Sequence, residues 1–361
     1  MTSIITVESD KDLRRFTDLQ YQLYSHRSPA QPLPGYELRR LLDVQRNPAF
    51  QGRALHLLLA LREGEAVGRC SLLPSREAGG TAIFGFFECI NDTNTAAALL
   101  RRAEELCLEY GASALHGPFS PTRSGITGVQ LDHFGEKNLL NEACSPPYYA
   151  RLLEAAGYHI ERRGRTWRNL SLQRSAETLT TSLPDRSSRY NIRQVGLRDL
   201  AAGIEDLADI FEAAFSQGWG REPMSPDEYF YNAKFLLPAF RPESFSLVCD
   251  GLRPVGALLC FPDINPALRR FGRWGRVPAT VAAALYARIS RTLITFAIGI
   301  HPEYQNSAAS LLLSKHLAQT AGRYREMYST WITEGNTASE RMALRFGLSP
   351  WKSFAVYRKD L

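Results

Sequence analysis

One order of predicted elements occurs twice along the 361-residue chain, and this repetition constrains the fold more than any other feature of the sequence. In each half, the apolar periodicity predicts a strand, two helices and a two-stranded hairpin, followed by a strand, a helix and another strand. Hairpins give antiparallel pairs, whereas a strand–helix–strand crossover gives a parallel pair. Each half is therefore predicted to be an α/β domain with a mixed, α+β sheet.

The boundary between the halves is predicted in residues 175–189, which are rich in Ser, Thr and charged residues and have no apolar periodicity. A chain of this length suits two domains, because single cores stop growing at about 250–300 residues. The predicted organisation is an N-terminal domain of residues 1–174, a linker of residues 175–189 and a C-terminal domain of residues 190–361.

The composition indicates a folded protein, with 44% apolar and 22% charged residues and a formal net charge of +6 spread over both halves. The six cysteines form no C-x-x-C pair, and no His–carboxylate spacing indicates a metal, so reduced core thiols and no metal site are expected. No signal pattern opens the sequence, and no apolar run approaches the roughly 20 residues that span a bilayer. We therefore expect a cytoplasmic protein with no membrane partner.

A set of motifs adds a family resemblance to this pattern. They are YQLYSHRSP, RNPAF, VGRC, FGFFEC, HGPFSPT, SPPYYARLLEAAGY, PDINPALRRFGRWGR, IHPEY, WITEGN and RFGLSPWKSFAVYRK. Together they resemble bacterial tandem proteins of the GCN5-related N-acetyltransferase (GNAT) type over nearly the full chain. The resemblance implies two tandem GNAT domains and transfer of an acyl group from acetyl-CoA, another acyl-CoA or an acyl carrier protein thioester to the amine of a small molecule.

The resemblance also implies where an acyl donor would bind. In GNAT domains the fourth strand pairs with the pantetheine arm, and the following turn, Q/R-x-x-G-x-G/A, wraps the pyrophosphate. A helix N-terminus suits a diphosphate because it offers unpaired N–H groups and a partial positive charge. The implied cofactor-binding residues are Ile298, Gly299, Ile300, Gln305, Asn306, Ser307, Ala308, Ala309, Ser310 and Asn336.

The turn departs from the family pattern, because Ala308 and Ser310 stand at the two glycine-type positions. A left-handed Ala308 would cost about 1–2 kcal/mol, which weakens a phosphate site without abolishing it. The alternative is a plain helix start with Ser307 as N-cap. Asn336 has a similar alternative, as the cap of the next predicted helix.

Strand alternation predicts that Ile294, Phe296, Ile298 and Ile300 share one face, whereas Gly299 lies on a face of small residues. That thin face would permit close approach of a ligand chain or tight packing of a helix.

The N-terminal copy carries no match to the turn pattern, and Asp92 would lie near any phosphate. The acyl donor is therefore assigned to the C-terminal domain, and the N-terminal domain is expected to be structural or to shape the acceptor site.

Three residues are catalytic candidates. Glu334 is the candidate base because WITEGN ends the predicted fifth strand, although it would equally suit an exposed turn. Tyr304 could reach the thioester or could pack at the strand end, and Glu88 could be a base with a raised pKa or a buried structural carboxylate. The tyrosine that serves many GNAT enzymes as an acid is replaced here by Ala343.

Contacts to the acceptor are expected from a long loop and from tryptophan-containing segments. These candidates are Ser120, Thr122, Arg123, Trp219, Arg221 and Trp274, with packing as the alternative for each.

Two other functions stay open at this point. A Fem-type, aminoacyl-tRNA-dependent ligase also pairs two GNAT domains, but no basic stripe or coiled-coil arm favours tRNA as a partner here. The third interpretation is a non-catalytic binding protein on a GNAT scaffold, which the altered turn favours.

Overall fold

The computed structural model describes residues 2–24, 28–75, 79–120, 125–182, 189–215 and 223–361. The chain divides into two compact units. Unit 1 contains Met1–Arg165 together with Lys352–Leu361, and unit 2 contains Thr166–Trp351. The predicted mixed α/β fold is confirmed in both units.

Unit 1 follows the element order predicted for a half, with additional short strands after the crossover. Its strands are β1 (Thr2–Thr6), β2 (His56–Arg62), β3 (Glu65–Leu73), β4 (Thr81–Cys89), β5 (Ala114–Gly117), β6 (Phe119–Ser120), β7 (Ile126–Thr127) and β8 (Val129–Gln130). Its helices are α1 (Asp10–Leu23), α2 (Gly35–Leu41), α3 (Thr93–Glu109) and α4 (Tyr149–Ala155). Strand β9 (His159–Asn169) begins in unit 1 and ends in unit 2.

Unit 2 repeats this order and adds two helices between its hairpin and its crossover. Its helices are α5 (Leu172–Ser182), α6 (Leu200–Phe215), α7 (Pro226–Ala233), α8 (Asn265–Phe271), α9 (Arg276–Tyr286), α10 (Ala308–Ala321) and α11 (Thr337–Arg345). Its strands are β10 (Tyr190–Gln194), β11 (Phe245–Asp250), β12 (Arg253–Pro262), β13 (Thr292–Ile300), β14 (Glu326–Ser329) and β15 (Ile332–Thr333), and β16 (Ser349–Asp360) returns to unit 1.

In each unit the strands pair as the crossover rule requires. The order in unit 1 is β1-β2-β3-β4-β5-β16 and in unit 2 it is β14-β13-β12-β11-β10; the β4–β5 and β13–β14 pairs are parallel, and their neighbours are antiparallel. Helices cover both faces of each sheet: α3 packs on one face in unit 1 and α1 on the other, as α10 and α6 do in unit 2.

No helix within the described ranges is long and apolar enough to cross a membrane.

The division of the chain differs from the expected one in two respects. It falls after Arg165, and the expected linker begins inside a helix, since α5 runs to Ser182. This helix forms because Leu172, Ala176 and Leu179 bury one face of a segment whose composition otherwise indicates a linker. Residues 183–188 lie outside the described part of the chain.

The last ten residues complete the sheet of unit 1 and bring a buried lysine with them. Lys352 is fully buried, and its Nζ donates to the Glu142 carboxylate at 2.8 Å and to the Lys137 carbonyl at 2.8 Å. The next residue, Ser353, donates its N–H to Asp132 Oδ1 at 2.8 Å. The C-terminal strand therefore anchors the long loop that precedes α4.

Replacing Lys352 with Met is expected to lower the free energy of unfolding by about 3–5 kcal/mol, because the buried Glu142 carboxylate loses its countercharge. Denaturant unfolding followed by circular dichroism measures the change. The matched control is Lys359→Met in the same strand, which removes the partly exposed pair with Glu104 and is expected to cost about 1 kcal/mol or less. Equal losses in the two variants would contradict the anchoring role.

Candidate functional site

Strand β13 loses its parallel partner halfway along its length. It pairs with β14 only from Thr292 to Thr295. At that point Thr330 donates its N–H to the Thr295 carbonyl at 3.1 Å and its hydroxyl to the Phe296 carbonyl at 2.8 Å. Beyond this bridge, within the described ranges, no strand pairs with Ile298 or Ile300 on the side of β13 opposite to β12. We call this side, from Ile298 to Ile300, the outer edge.

The backbone groups on the outer edge can be assigned from the register of the neighbouring pair. The His301 N–H donates to the Val255 carbonyl at 2.9 Å, so His301 points its backbone N–H towards β12. Because the direction alternates along a strand, the N–H and C=O groups of Ile300 and Ile298 point away from β12. The Ile300 carbonyl accepts from Gln305 Nε2 at 3.3 Å. Ile298 and Ile300 are half-buried, so an extended ligand can add along this edge as another strand would.

A β-bulge at Phe296 changes the predicted faces of the strand. The register with β12 shifts between Leu259 and Cys260, so Leu293 lies in the same apolar cluster as Ile298 and Ile300. The expected strict alternation from Ile294 to Ile300 is therefore wrong across the bulge, because one extra residue reverses the phase.

Gly299 serves helix packing on the opposite face. A Cβ added there would lie 2.7 Å from the Phe211 ring of α6, and its register partner on β12 is Ala257. Of the two interpretations of this thin face, the geometry is that of a tightly packed helix. A ligand has access to β13 along the outer edge and not over Gly299.

The turn between β13 and α10 forms without glycine. Asn306 takes the left-handed conformation, with φ of 59°, so the penalty expected at Ala308 does not arise. Ser307 is the N-cap: its Oγ accepts from the Ala309 N–H at 3.1 Å and donates to the Tyr304 carbonyl at 2.6 Å. Ala308 is exposed at the first helical position. The start of α10 is therefore exposed at Ala308, and the N–H of its second residue is capped by a neutral hydroxyl.

The contacts of Tyr304 are those of a packed residue and not those of an acid directed at a thioester. Its hydroxyl donates to Asp250 Oδ2 at 3.3 Å, and its ring lies edge-on to Tyr190 at 6.2 Å. The hydrogen bond from Arg189 is the main cause that lowers the pKa of Asp250, so this carboxylate stays a charged acceptor. The packing interpretation of Tyr304 matches these contacts.

The other candidates from the second crossover lie around the start of α11. Asn336 Oδ1 accepts from the Ser339 N–H at 3.2 Å, so Asn336 caps this helix. Glu334 is exposed in the preceding turn, four residues after Thr330 and so within about 14 Å of it along the chain. Ala343 is buried in the apolar core of unit 2.

In unit 1 the corresponding gap between parallel strands is filled by the protein itself. Strand β4 pairs with β5 only from Thr81 to Ile83. Beyond this pair, Ser120 Oγ accepts from the Phe86 N–H at 3.0 Å, and the Phe119 carbonyl lies 1.8 Å from where a Cβ of Gly85 would be. Strand β6 therefore occupies the place beside β4 that is open beside β13.

Two tyrosines bond to the rest of that edge: Tyr149 is the first residue of α4, and Tyr148 is its N-cap. Tyr149 Oη accepts from the Cys89 N–H, and Tyr148 donates to the Cys89 carbonyl, both at 3.0 Å. At the start of α3, the Asp92 carboxylate accepts from the Thr95 N–H at 2.8 Å. This backbone hydrogen bond is the main cause that lowers the pKa of Asp92. The carboxylate also accepts from Arg62 at 2.9 Å, so a paired carboxylate stands where the other unit has a hydroxyl.

Glu88 belongs to the same closed edge. Its Oε2 accepts from Tyr149 at 2.6 Å and from Tyr24 at 3.1 Å, and its Oε1 lies 3.5 Å from Arg69. Burial raises the pKa of Glu88, and Arg69 opposes the shift. Arg69 is itself held by the backbone carbonyl of Phe86 at 3.2 Å. The contacts match the interpretation of Glu88 as a buried, hydrogen-bonded carboxylate.

The remaining sequence candidates are distributed as follows. Thr122, Arg123, Trp219 and Arg221 lie outside the described residues, and Trp274 is an exposed surface residue. Among the described residues, no group of three or more His, Cys, Asp or Glu could hold a metal ion. Ser120, a candidate contact to the acceptor, lies in β6 and accepts from the Phe86 N–H. Sequence reasoning missed Thr330 and this bridging role of Ser120, because a hydroxyl that bridges two strands has no local pattern.

Comparisons with known proteins agree with this architecture. No family model matches the sequence. Protein YghO of Escherichia coli is 26% identical over 342 residues, which cover 88% of this chain and 85% of that protein. The bacterial ceramide synthase of Caulobacter vibrioides is 25% identical over 393 residues, which cover 99% of this chain and 97% of that protein.

Solved structures show the same two-domain fold. A tandem GNAT protein from the clavulanic acid biosynthesis pathway matches with a TM-score of 0.57 at 14% identity, covering 100% of this chain and 98% of that one. A probable N-acyltransferase from Enterococcus faecalis matches with a TM-score of 0.58 at 10% identity, covering 100% of this chain and 73% of that one. The chain has the tandem GNAT fold, as its motifs predicted.

The pH dependence of stability tests the buried carboxylate in unit 1. Because burial raises the pKa of Glu88, the folded state binds its proton more tightly than the unfolded state, and this contribution to stability falls as pH rises through the raised pKa. Glu88→Gln cannot ionise, so its free energy of unfolding is expected to rise relative to wild type as pH is raised above about 4, the ordinary pKa of a glutamate, towards neutrality.

Thermal unfolding of Glu88→Gln and wild type across that range measures the difference. Glu65→Gln at an exposed strand end is the control and is expected to keep a constant difference from wild type. A constant difference for Glu88→Gln as well would show that the carboxylate is solvated.

Proposed function

We propose that the protein is an N-acyltransferase whose acyl thioester binds to unit 2. The pantetheine arm would lie along the outer edge of β13, and the phosphates of an acyl-CoA would lie at the start of α10. The observation that carries this proposal is that, among the residues the structure describes, no strand pairs with the outer edge, which leads directly into an exposed helix N-terminus. The corresponding positions in unit 1 are filled by Ser120, Tyr148, Tyr149 and Asp92.

The outer edge supplies groups that suit both binding and reaction. The Ile298 N–H can donate to the thioester carbonyl oxygen, where negative charge develops as the amine attacks. The amine nitrogen forms a bond to the carbonyl carbon, the C–S bond breaks, and the thiolate leaves. The amine must lose a proton, and we assign Glu334 as the group that accepts it, directly or through water. The proton that the thiolate takes up comes from solvent, since Ala343 offers none.

An acyl carrier protein thioester would present the same arm as acetyl-CoA or a longer acyl-CoA. The two sources differ in the phosphate site, because the free coenzyme adds a diphosphate at Ala308.

The amine acceptor is proposed to be a long-chain amino alcohol. A ceramide is the amide of a fatty acid and such an amine, so the protein named as a bacterial ceramide synthase forms its product by N-acylation. The alignment with that protein spans 99% of this chain, which supports the same reaction class here.

Binding of the acyl donor is expected to raise the melting temperature through α10. Ala308→Glu places a carboxylate at the first position of that helix and is expected to weaken binding of acyl-CoA at least tenfold, since like charges meet there. The matched control is Thr93→Glu at the first position of α3 in unit 1, which is expected to leave the shift unchanged. Thermal shift against an acyl-CoA concentration series gives both affinities. If Thr93→Glu weakens binding of acyl-CoA and Ala308→Glu does not, the acyl donor binds to unit 1.

The reaction itself is tested by incubating the protein with an acyl-CoA and a long-chain amino alcohol. The expected products are the amide, detected by mass spectrometry, and an equal amount of free thiol. Glu334→Gln is expected to reduce kcat about 10²–10⁴-fold with little change in KM for the acyl-CoA. Thiol release without amide would exclude this acceptor, and no donor binding at all would favour a Fem-type ligase or a non-catalytic binding protein.

A further inference from the structure

Helix α9 is built with its large apolar side chains facing solvent. Its buried face consists of small residues, with Ala279 fully buried and Ala283 and Ala287 nearly so. Its exposed face carries Val277, Val281, Leu285 and, just beyond the helix, Ile289, which are 74%, 54%, 59% and 71% exposed. We call these four residues the apolar stripe. A helix that needed only to pack on its own unit would place these side chains inward.

The stripe lies in a strongly basic segment, a local concentration of charge that differs from the even spread expected from the sequence as a whole. Residues 264–291 contain six arginines and no aspartate, glutamate or lysine. The arginines are Arg269, Arg270, Arg273, Arg276, Arg288 and Arg291, and all except the half-buried Arg269 are exposed. The two helices of this segment are the addition that interrupts the element order repeated in the two units.

A tryptophan stands at the start of the stripe. Trp274 is 71% exposed and packs edge-on against Phe271 at 5.3 Å between ring centres. Gly275, with φ of 106°, turns the chain between Trp274 and the first residue of α9. An exposed indole beside aliphatic and arginine side chains is the composition of helices that lie in a membrane interface.

We propose that α8 and α9 bind the surface of a lipid bilayer that contains anionic lipids. The apolar stripe and Trp274 would enter the boundary between headgroups and acyl chains, and the arginines would contact lipid phosphates. With 11 residues, α9 is about 16 Å long, which suits a helix lying along the surface. Peripheral binding of this kind needs no membrane-spanning helix, so the proposal departs from the expectation of no membrane partner, which rested on the lack of an apolar run long enough to span a bilayer.

Charge favours a bilayer over a second copy of the chain. A two-fold interface on this face would bring the exposed arginines of one copy close to those of the other, and residues 264–291 contain no carboxylate. An anionic lipid surface supplies that charge together with an apolar phase. The inference goes beyond the proposed function and does not need it, since binding to vesicles can be measured without any acyl donor or amine.

Flotation with lipid vesicles tests the proposal. The wild-type protein is expected to float with vesicles of phosphatidylcholine containing 30% phosphatidylglycerol, and the bound fraction is expected to fall when salt is raised. Val281→Glu/Leu285→Glu is expected to lower the partition coefficient at least tenfold. The matched control, Leu108→Glu/Leu252→Glu, changes two exposed leucines elsewhere and is expected to bind as the wild type does.

Tryptophan fluorescence gives a second readout on the same vesicles. Brominated lipids are expected to quench part of the emission of the wild type, and Trp274→Phe is expected to lose that quenched part. The proposal is overturned if the wild type does not bind anionic vesicles, or if the double stripe variant binds as well as the control. It is also overturned if the wild type forms a concentration-dependent dimer that the double stripe variant does not form, and the wild type does not bind vesicles.

Discussion

Backbone hydrogen bonding at the point where two parallel strands separate is the constraint on which the rest of this structure depends. In each unit the strand before the crossover helix keeps its parallel partner for only three or four residues. The N–H and C=O groups beyond that point must find another partner or stay accessible to one. Unit 1 supplies its own partners, and unit 2 presents the groups at a half-buried edge. The two units therefore share a fold but differ in how the backbone groups beyond the parallel pair are bonded.

The difference between the units is produced by few side chains. A carboxylate begins α3, where a hydroxyl begins α10. Tyr148 and Tyr149 reach Cys89 from 59 and 60 positions along the chain, and Glu88 orients one of them by hydrogen bonding. Side chains at a few positions therefore decide whether this edge is closed or accessible, because the edge itself consists mainly of backbone groups.

The sequence predicted the element order, the mixed sheet and the tandem fold, because apolar periodicity and the family motifs extend over long segments. It predicted the N-cap role of Ser307 and the cap of α11 as alternatives, since capping depends on neighbours. It could not predict the bulge at Phe296, which reverses one strand face through a single residue. The sequence could not predict the contacts of Thr330, Tyr148 and Tyr149 either, because their partners are distant in sequence.

The assignment of Lys352–Leu361 to unit 1 has a consequence for how the protein is made. The ribosome emits this segment after all of unit 2, so the sheet of unit 1 lacks β16, and Glu142 lacks its lysine, until unit 2 has been synthesised. Folding of the first half during synthesis is therefore left incomplete for the whole time in which the second half is produced. Truncation after Trp351 would leave the residues of unit 2 in place and would remove a strand and a buried lysine from unit 1.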